Sequence, residues 1–585
     1  MALRKVLNVN SSALGREWIQ RHFDERDALA IGQRNNLDSI VAQLISARGI
    51  KCEDADTFLS PTLKDLLPNP SDFKDMDVCV DRIINAIQGK EKITIYGDYD
   101  VDGATSTSLF LRFFRMVCVE VGFYIPDRKI EGYGPNIEAF RKLKAEGVDL
   151  IITVDCGTVS YAQIQYAKEI GLDVIVVDHH AGEPELPNCV GVINPNRFDE
   201  DSPYTYLAAV GVSFLVCIAI NRQLRSLDFF TTKAEPNLIS LLDVVALGTV
   251  CDVVPLVGLN RAFVAQGLKI LQSRQNTGIR MLVDSCGIDK KINTYHLGYV
   301  IGPRINAGGR VGTSTLGTQL LSSDNLEVVA PIVEQLNAFN EERKIIQDEV
   351  LQAALAQVDE AEPIIIVHGD GWHQGVIGIV AGRLKETFNR PTFVISFLGE
   401  EGKASGRSIP GFDMGQVIHH ACQKSVLVQG GGHPMAGGFS VMKHKLEDLK
   451  LLMKELFYKK LNDAHLKPQL ELDGVLTLQS ASLNLIESIE QVGPFGSGNP
   501  APKFAFKDVQ ISYSKIVGEK HVKCSLLNPH SQESVDAMAF NAMDTDLGPF
   551  LLKNTKTAIN LAGSIKINSW GGKERVSITI DDASL

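Results

Sequence analysis

Acidic residues and histidines gather in four short segments of this chain. The segments are GDYDVDG (97–103), VDCG (154–157), VDHH (177–180) and the GTVCDVVPL run that carries Asp252. Carboxylates and imidazoles crowded into one place would repel one another and lose hydration unless a cation compensates them. The four segments therefore predict a metal centre.

The first segment places three aspartates at alternate positions. On an extended chain alternate side chains point the same way, so we expect Asp98, Asp100 and Asp102 to converge. Gly103 follows and lets the backbone turn into a helix without a side-chain clash. The competing interpretation is a solvated acidic turn that caps this helix. Three alternating acids directly after an apolar run favour the metal.

The other three segments add ligand candidates of different strength. Asp155 alone could simply cap the next helix, and only its partner motifs make it a candidate ligand. His179 and His180 follow an apolar run, where two adjacent histidines are rarely both core residues, and imidazole is a common transition-metal ligand. Asp252 lies in a highly apolar run and needs a counter-charge there, although a helix-capping or arginine-paired role is the alternative.

Apolar runs precede three of these segments and predict the strands that position them. The runs are KITIY (92–96), LIITV (150–154) and VIVV (174–177), and the stretch 104–116 between the first two is patterned as a helix. Ligands bind at the carboxyl edge of a parallel sheet, where all three segments would meet. We therefore predict an α/β fold with a doubly wound parallel sheet. Residues 241–256 are apolar enough for a strand or a helix, and periodicity does not decide.

The rest of the chain divides by pattern. Residues 60–73 carry prolines and predict a tether, and residues 330–358 predict a long connecting helix. A second α/β unit with strands PIIIVHGD and PTFVISF follows, and short alternating strands towards the end predict a β-barrel. The predicted units are an N-terminal region, the first α/β unit, a helical connection, the second α/β unit and the barrel, at residues 1–75, 76–260, 261–358, 359–464 and 465–585.

Composition limits the class of protein. No run of about 18 apolar residues predicts a membrane span, no secretory signal is recognisable, and the ten cysteines form no Cys-x-x-Cys pair. We therefore expect a cytoplasmic protein that does not bind membranes. The net charge of −12 counts against a surface coated with basic residues, but it is compatible with one basic groove.

The order and spacing of DYDVDG, VDCG, DHH and the GTVCDVVPL run resemble the DHH phosphoesterase superfamily. The second unit, with SGRSIPGFDM (405–414) and GGGHPMAGGF (430–439), resembles the DHH-associated domain. GPRINAGGR (302–310) and the OB-like barrel narrow the resemblance to the single-strand-specific 5′→3′ DNA exonucleases of bacteria. This resemblance implies a metal-dependent exodeoxyribonuclease that hydrolyses phosphodiester bonds by a two-metal mechanism, in DNA repair and recombination.

The resemblance also implies roles for individual residues. It implies two divalent cations, Mn²⁺ or Mg²⁺, with Asp155 bridging them and His180 near the scissile phosphate. Asp178 is expected to orient a histidine or the backbone. Asp100 is expected on one cation and Asp102 on the other, and the full set of expected metal ligands is Asp98, Asp100, Asp102, Asp155, His179 and Asp252.

A 5′-exonuclease also needs a pocket for a chain end, and arginine forks match phosphate oxygens. The candidate anchors are Arg128, Arg304, Asn306, Arg310, Ser405, Arg407 and His433. For Tyr133, stacking on a base and a plain packing role are about equally supported. The barrel either binds single strands by stacking and a basic groove or only narrows the entrance.

The implied partners are single-stranded DNA, a helicase and a single-strand-binding protein, with the chain itself a monomer. A GxxxxGK[ST] loop is lacking, so we expect no duplex unwinding by this chain. One alternative is an oligonucleotide or cyclic-dinucleotide phosphodiesterase of the same superfamily, against which the length of the chain argues. The other is an inactive DNA-binding relative, against which the intact acidic set argues.

Overall fold

The N-terminal region packs against two other parts of the protein. The computed structural model describes residues 4–128, 130–461, 466–527, 534–570 and 573–585, so the predicted boundary at 464/465 lies outside the described residues. Leu63 and Leu66 pack against the core of the first α/β unit, so the predicted tether is not a free linker. The elements of this region are β1 (Glu17–Gln20), α1 (Glu25–Asn35), α2 (Ser39–Ser46), α3 (Ala55–Leu59) and α4 (Leu63–Leu66).

The first α/β unit is built on a five-stranded parallel sheet. Its elements are α5 (Met76–Gly89), β2 (Ile93–Tyr96), α6 (Val101–Met116), β3 (Gly122–Tyr124), α7 (Ile137–Ala145), β4 (Leu150–Val154), α8 (Tyr161–Glu169), β5 (Asp173–Val177), β6 (Gly191–Ile193), α9 (Ala209–Ser226) and α10 (Leu242–Cys251). The strand order is β3–β2–β4–β5–β6, and every pair is parallel.

Helices cover both faces of this sheet, as the sequence predicts. Helices α5, α6, α9 and α10 share one apolar core, and α7 and α8 enclose a second core on the other face. Every residue of β2 and β4 is buried, which explains why both strands read as continuous apolar runs. The ambiguous stretch 241–256 contains the helix α10, whose first eight residues are all buried. A helix that is buried all round has no amphipathic period to reveal it.

A helical connection leads to the second α/β unit. It comprises α11 (Gly258–Gln272), α12 (Thr277–Ser285), a π-helical turn (His296–Ile301), α13 (Gly302–Val311), α14 (Leu316–Ser322) and α15 (Leu326–Leu355). The 30-residue α15 confirms the predicted long connecting helix and begins four residues before the predicted start.

The second α/β unit has a mixed five-stranded sheet in the order β10–β11–β9–β8–β7. Only β7 and β8 pair in parallel, whereas the other pairs are antiparallel. The glycine triplet Gly430–Gly432 lies within β10 and is therefore part of a strand. The elements are β7 (Ile365–Asp370), α16 (Gln374–Phe388), β8 (Thr392–Leu398), β9 (Glu401–Arg407), α17 (Met414–Gln423), β10 (Gln429–His433), β11 (Ala436–Met442) and α18 (Leu446–Lys460).

The last unit is a β-barrel that shares its core with the N-terminal helices. Its elements are β12 (Gln469–Leu472), β13 (Gly474–Leu476), α19 (Leu483–Glu490), β14 (Phe504–Val517), β15 (His521–Leu527), β16 (Ser534–Ala539), α20 (Leu547–Lys553), β17 (Ala558–Trp570) and β18 (Lys573–Ser584). Strand β14 pairs with both β15 and β17, which closes the sheet.

The N-terminal region and the barrel form one packed body. Ile31, Val41 and Ile45 lie in the same apolar core as Phe504 and Phe506 of the barrel, and β1 pairs with β12 in parallel. The chain thus returns at its end to pack on its beginning. Within the described residues, the structure contains no helix that is both long enough and apolar enough to cross a membrane.

Candidate active site

The three aspartates of the first segment lie around the start of α6. Asp100 is the N-cap of this helix, and its carboxylate accepts hydrogen bonds from the backbone N–H of Asp102 (2.8 Å) and Gly103 (3.1 Å). The three acids gather in one site as expected, but not along an extended segment, because Asp102 already lies in the helix. A Cβ at Gly103 would lie 2.5 Å from the backbone oxygen of Asp98, so only glycine lets this loop rest on the helix.

Asp102 faces the start of another helix. Its two oxygens accept hydrogen bonds from the backbone N–H of Ala209 (2.7 Å) and Val210 (3.0 Å), the first residues of α9. This contact fixes α9 beside α6 and satisfies two donors that a helix start leaves open. Burial, followed by the negative charge of Asp100, raises the pKa of Asp102 to about 7.

Asp155 follows β4 in a left-handed backbone conformation, with φ at 60°. Its N–H donates to the carbonyl of Val177 (3.1 Å), and its carbonyl accepts from the Tyr133 hydroxyl (2.9 Å). A non-glycine residue rarely adopts this conformation, and here the neighbouring strand and Tyr133 hold it in place. The buried carboxylate is thereby aimed at the histidines, with Oδ1 3.4 Å from Nε2 of His179.

The two histidines are oriented by different partners. Nδ1 of His179 lies 3.1 Å from the carbonyl of Leu207, which can only accept a hydrogen, so Nδ1 carries the proton and Nε2 keeps a free lone pair. Nδ1 of His180 lies 2.8 Å from Oδ1 of Asp178. The same carboxylate also accepts from Thr158, through its hydroxyl at 2.6 Å and its N–H at 3.1 Å. Asp178 thus orients a histidine and backbone, as the resemblance implies.

Asp252 enters the site from α10, as the residue just beyond the last turn. Its Oδ2 is buried and has no hydrogen-bond partner among the described residues, and the same holds for Oδ1 of Asp98. An unsatisfied buried acceptor costs roughly 1–3 kcal/mol. Two such atoms in one site are explained if a bound cation is their partner.

These side chains form three overlapping groups whose ligand atoms lie within 4.8 Å of one another. The group that contains His180 shares Asp155 with one of the other groups and His179 with the remaining one. The groups are Asp98 with Asp100 and Asp155, Asp102 with His179 and Asp252, and Asp155 with His179 and His180. Two adjoining positions that share ligands fit a pair of divalent cations.

The raised pKa values of the carboxyl groups also indicate a cation site. Burial raises the pKa of Asp98, Asp155 and Asp252 well above the ordinary value, and the negative charges of neighbouring carboxylates raise these pKa values further. In the part of the chain that the structure describes, no lysine or arginine forms an ion pair with them. Burial also lowers the pKa of His179 to about 4, which keeps its imidazole neutral and able to ligate.

A group of arginines borders the acidic site. Arg310 on α13 donates to the carbonyl of Gly375 (2.7 Å) at the start of α16. Burial lowers the pKa of Arg310 to about 10, and the charge of Arg128 acts in the same direction, whereas Asp100 opposes both. The Arg128 guanidinium lies 5.1 Å from the ring centre of Tyr99. Positive charge therefore accumulates beside the carboxylates, where Arg128 acts on Asp98 and Asp100 acts on Arg310.

Ser405 and Arg407 join this arginine group on the side of α16. A Cβ at Gly378 would lie 2.9 Å from Oγ of Ser405 and 3.3 Å from Nη2 of Arg407, so glycine keeps this approach open. His433 is in register with Arg407 across β11, which puts both on one face of the sheet at a distance of about 10 Å. Arg310 thus contacts the first turn of α16, and Ser405 and Arg407 approach the next turn at Gly378, near the end of the helix that favours an anion.

Arg304 and Asn306 stand apart from this arrangement. The Arg304 guanidinium donates to Asn337 (2.8 Å) and to the carbonyl of Val300 (2.7 Å), so two of its donors are used within the helical connection. Asn306 is half-buried and makes no side-chain hydrogen bond within the described residues. Within the described residues, neither side chain forms a hydrogen bond or ion pair with Arg310, Ser405 or Arg407.

The sequence reasoning missed several residues that support the site. Asn194 donates to Thr158 (2.9 Å) and to the carbonyl of His180 (2.8 Å), and it directly follows the short strand β6. A polar residue at the end of a fourth strand was the available signal. Arg343 was also missed, because it is one of many charged residues on the long α15. Its Nε is buried without an acceptor, and its charge lowers the pKa of Arg310.

The fold and the site together define a phosphoesterase of the DHH class. The model of the DHH family, N-terminal domain, matches residues 92–249, that of the DHHA1 domain matches residues 351–459, and that of the RecJ OB domain matches residues 472–582. The single-stranded-DNA-specific exonuclease RecJ of Salmonella typhimurium is 34% identical over 582 residues, which cover 97% of this chain and 99% of that protein. The RecJ of Escherichia coli is 33% identical over 93% of this chain and 96% of its own length. The chain belongs to the RecJ family.

Solved structures agree with this assignment. RecJ from Thermus thermophilus in complex with Mn²⁺ superposes with a TM-score of 0.79 over 95% of this chain and 78% of that one. At 24% identity this likeness shows the shared fold. A second structure, of exonuclease RecJ bound to manganese, is 29% identical, covers 67% of this chain and 95% of its own, and gives a TM-score of 0.56.

Proposed function

We propose that this protein is a metal-dependent exonuclease that removes mononucleotides from the 5′ end of single-stranded DNA, in repair and recombination. The observation that carries the proposal is the set of three overlapping groups around Asp155 and His179, with buried oxygens of Asp98 and Asp252 left without partners. Membership of the RecJ family supports the same activity. The relatives named in the comparisons are single-stranded-DNA-specific exonucleases.

The two cations, Mn²⁺ or Mg²⁺, would be held on either side of Asp155. Asp98 and Asp100 would serve the first, and Asp102, His179 and Asp252 the second. When bound, such a pair supplies positive charge for the phosphate and an acidified water for the attack. A mixed set of carboxylate and imidazole ligands suits Mn²⁺ somewhat better than Mg²⁺.

His180 is the group that would meet the scissile phosphate. Its side chain is 40% exposed, whereas that of His179 is 13% exposed, so His180 is the more accessible of the two histidines. Burial lowers the pKa of His180, but the hydrogen bond and charge of Asp178 outweigh it and leave the pKa raised. A protonated His180 donates to a phosphate oxygen and stabilises the charge that develops during hydrolysis. Asp178 positions the ring for this task.

The 5′ polarity would come from the arginine group at the start of α16. Arg310 and Arg407, with the Ser405 hydroxyl beside the first turns of α16, match the oxygens of a terminal phosphate. Arg128 would hold the next phosphate, between this group and the carboxylates. His433 would contact the phosphate from the side of β10. Arg304 and Asn306 remain candidates for the backbone further along the strand.

Partners and location follow from this substrate. We propose that a helicase supplies the single strand, because the chain lacks a phosphate-binding loop of its own, and that a single-strand-binding protein presents it. The barrel would add contacts to the strand through its exposed Tyr513 and the basic Lys515 and Lys523 on β14 and β15. We propose that the enzyme acts in the cytoplasm. We also propose that it acts as a monomer.

The proposal is tested by following mononucleotide release from a 5′-labelled single strand with Mn²⁺ or Mg²⁺ present. We expect release by the wild-type protein and none by Asp155→Ala. Equal behaviour of the two proteins would contradict the metal assignment. For polarity, Arg407→Ala and Arg304→Ala are compared on strands that end in a 5′-phosphate or a 5′-hydroxyl. An unchanged preference in both variants would remove the arginines from the anchor.

A further inference from the structure

Two tyrosine rings stand stacked and exposed on the helical turn that precedes α13. Tyr295 is 60% exposed and Tyr299 is 74% exposed. Their ring centres are 5.3 Å apart and their planes differ by 24°. The two rings stack on one another, the ring of His296 lies edge to face with Tyr295 at 6.0 Å, and both tyrosines remain mostly exposed. Since neither ring fills the core, the stability of the fold does not explain the pair.

The geometry of this turn aligns the two rings. Residues His296–Ile301 form a π-helix, in which hydrogen bonds join residues five apart. The turn is therefore wider than in an α-helix, and side chains four residues apart lie closer to the same line. Such π-helical turns occur frequently at functional sites.

The turn that carries the pair packs on an element of the acidic site. The thiol of Cys251 donates to the carbonyl of Leu297 (3.4 Å), and a Cβ at Gly302 would lie 2.4 Å from this sulfur. Cys251 directly precedes Asp252, so the turn rests on the end of α10 that brings Asp252 to the site. With a rise of about 1.5 Å per residue, Tyr299 lies roughly 5 Å along the helix from Gly302.

On its other side the pair adjoins the barrel. The hydroxyl of Thr294 donates to the carbonyl of Phe495 (2.6 Å), and the N–H of Leu256 donates to the carbonyl of Ser497 (2.8 Å). Both contacts join the first α/β unit and its helical connection to the segment that leads into β14. The turn that carries the pair is thus bounded on one side by the end of α10 and on the other by the segment that leads into the barrel.

The charges around the pair suit a nucleic-acid strand. Lys290 and Lys291 precede it in the chain, are exposed, and form no ion pair within the part of the chain that the structure describes. The arginine-bearing helix α13 follows it. Open aromatic faces with basic residues on both sides are the arrangement that binds unpaired bases through their π-faces and the backbone through charge.

We propose that Tyr295 and Tyr299 form a stacking platform for unpaired bases, a few nucleotides on the 3′ side of the phosphate at the acidic site. The inference rests on the proposed function and adds to it a source of single-strand selectivity. In a duplex the bases are stacked on one another and their faces are covered. Only an unpaired strand can place a base on the open face of either tyrosine.

The test uses the full chain in EDTA, so that the strand is bound without being degraded. Affinity for 5′-phosphorylated oligonucleotides is measured by fluorescence anisotropy, with a single abasic site moved along the first eight positions. We expect the wild-type protein to lose affinity by about tenfold when the abasic site falls on the platform. The Tyr295→Ala/Tyr299→Ala variant should bind the intact strand about tenfold more weakly and should not respond to abasic sites.

Two controls separate stacking from other effects. The Tyr295→Phe/Tyr299→Phe variant keeps both ring faces and should bind as the wild type does. Tyr458→Ala removes a tyrosine of α18 that is 49% exposed and should change nothing. Unchanged affinity and an unchanged abasic profile in the double alanine variant would overturn the proposal of a stacking platform. The same conclusion would hold if that variant lost binding to another protein while its affinity for the strand stayed unchanged. Mononucleotide release by the wild type in Mn²⁺ tests the proposed function separately.

Discussion

Binding of Mn²⁺ should stabilise this protein more strongly as the pH rises. Burial and mutual repulsion raise the pKa of Asp98, Asp155 and Asp252 in the metal-free fold, and that of Asp102 to about 7. A carboxyl group with a raised pKa is protonated more in the folded than in the unfolded protein. Its contribution to the free energy of unfolding therefore falls as the pH increases from its unfolded value towards its folded value. A cation that ligates these groups in their ionised form removes this loss and releases protons.

The size of the effect can be estimated from Asp102. A rise in its pKa from 3.8 to about 7 corresponds to about 4 kcal/mol of lost stability above pH 7. His179 acts in the opposite direction, since its pKa is lowered to about 4 and its contribution is lost as the pH falls below 6.5. Above pH 6.5 this opposing contribution no longer changes. Each carboxyl group that is still protonated should then cost about 1.4 kcal/mol per pH unit.

The assay is thermal unfolding of the full chain between pH 6.5 and 8, with either EDTA or saturating Mn²⁺. We expect the melting temperature of the first transition to fall with pH in EDTA, and the increase caused by Mn²⁺ to grow with pH. Asp252→Asn should reduce this growth. Asp473→Asn is the matched control, because Asp473 is buried in an ion pair with Arg48 away from the site. A stabilisation by Mn²⁺ that is equal at every pH, or absent, would refute the reasoning.

Three further predictions concern single residues. His180→Gln should lower kcat by about 100-fold and leave KM nearly unchanged, because the proton donor is lost while the strand still binds; steady-state hydrolysis of a labelled strand measures this. Arg407→Lys should reduce the preference for a 5′-phosphate over a 5′-hydroxyl by about tenfold, because the paired hydrogen bonds of the fork are lost; competition between the two strands measures this. Arg261→Met should lower the free energy of unfolding by about 2–4 kcal/mol, measured with urea, because the carbonyls of Phe58 and Val492 lose their donor.

Each of these predictions has its own contradicting result. If His180→Gln raised KM by as large a factor as it lowered kcat, the histidine would mainly help to bind the strand. A larger effect of Arg304→Ala than of Arg407→Lys would place the anchor at Arg304 and not at the start of α16, although two donors of Arg304 are held by Asn337 and Val300. Unchanged unfolding of the Arg261 variant would show that the junction of α3, α11 and the barrel does not depend on its guanidinium.

Much of the first α/β unit could be predicted because its strands are buried on both faces. Such strands read as short, continuous apolar runs, and the polar residues that follow them meet at one edge of the sheet. This is why the positions of Asp155 and His179 could be inferred from their neighbours in the chain. The barrel and the long α15 carried equally clear alternating and helical patterns.

The remaining features depend on contacts between segments that are distant in the chain. Asp252 arrives on α10, a helix with no amphipathic period, so its place beside His179 followed only from the resemblance. The hydrogen bonds from α9 to Asp102 join residues 107 and 108 positions apart, and no local sequence pattern predicts them. The packing of the N-terminal helices into the core of the barrel likewise joins opposite ends of the chain.

The claim that two cations share Asp155 is tested most directly by diffraction from Mn²⁺-soaked crystals at the manganese absorption edge. We predict two anomalous peaks about 3.5–4 Å apart, with Asp155 in contact with both, Asp98 and Asp100 on one side and His179 and Asp252 on the other. A single peak, or two peaks of which Asp155 touches only one, would contradict the account.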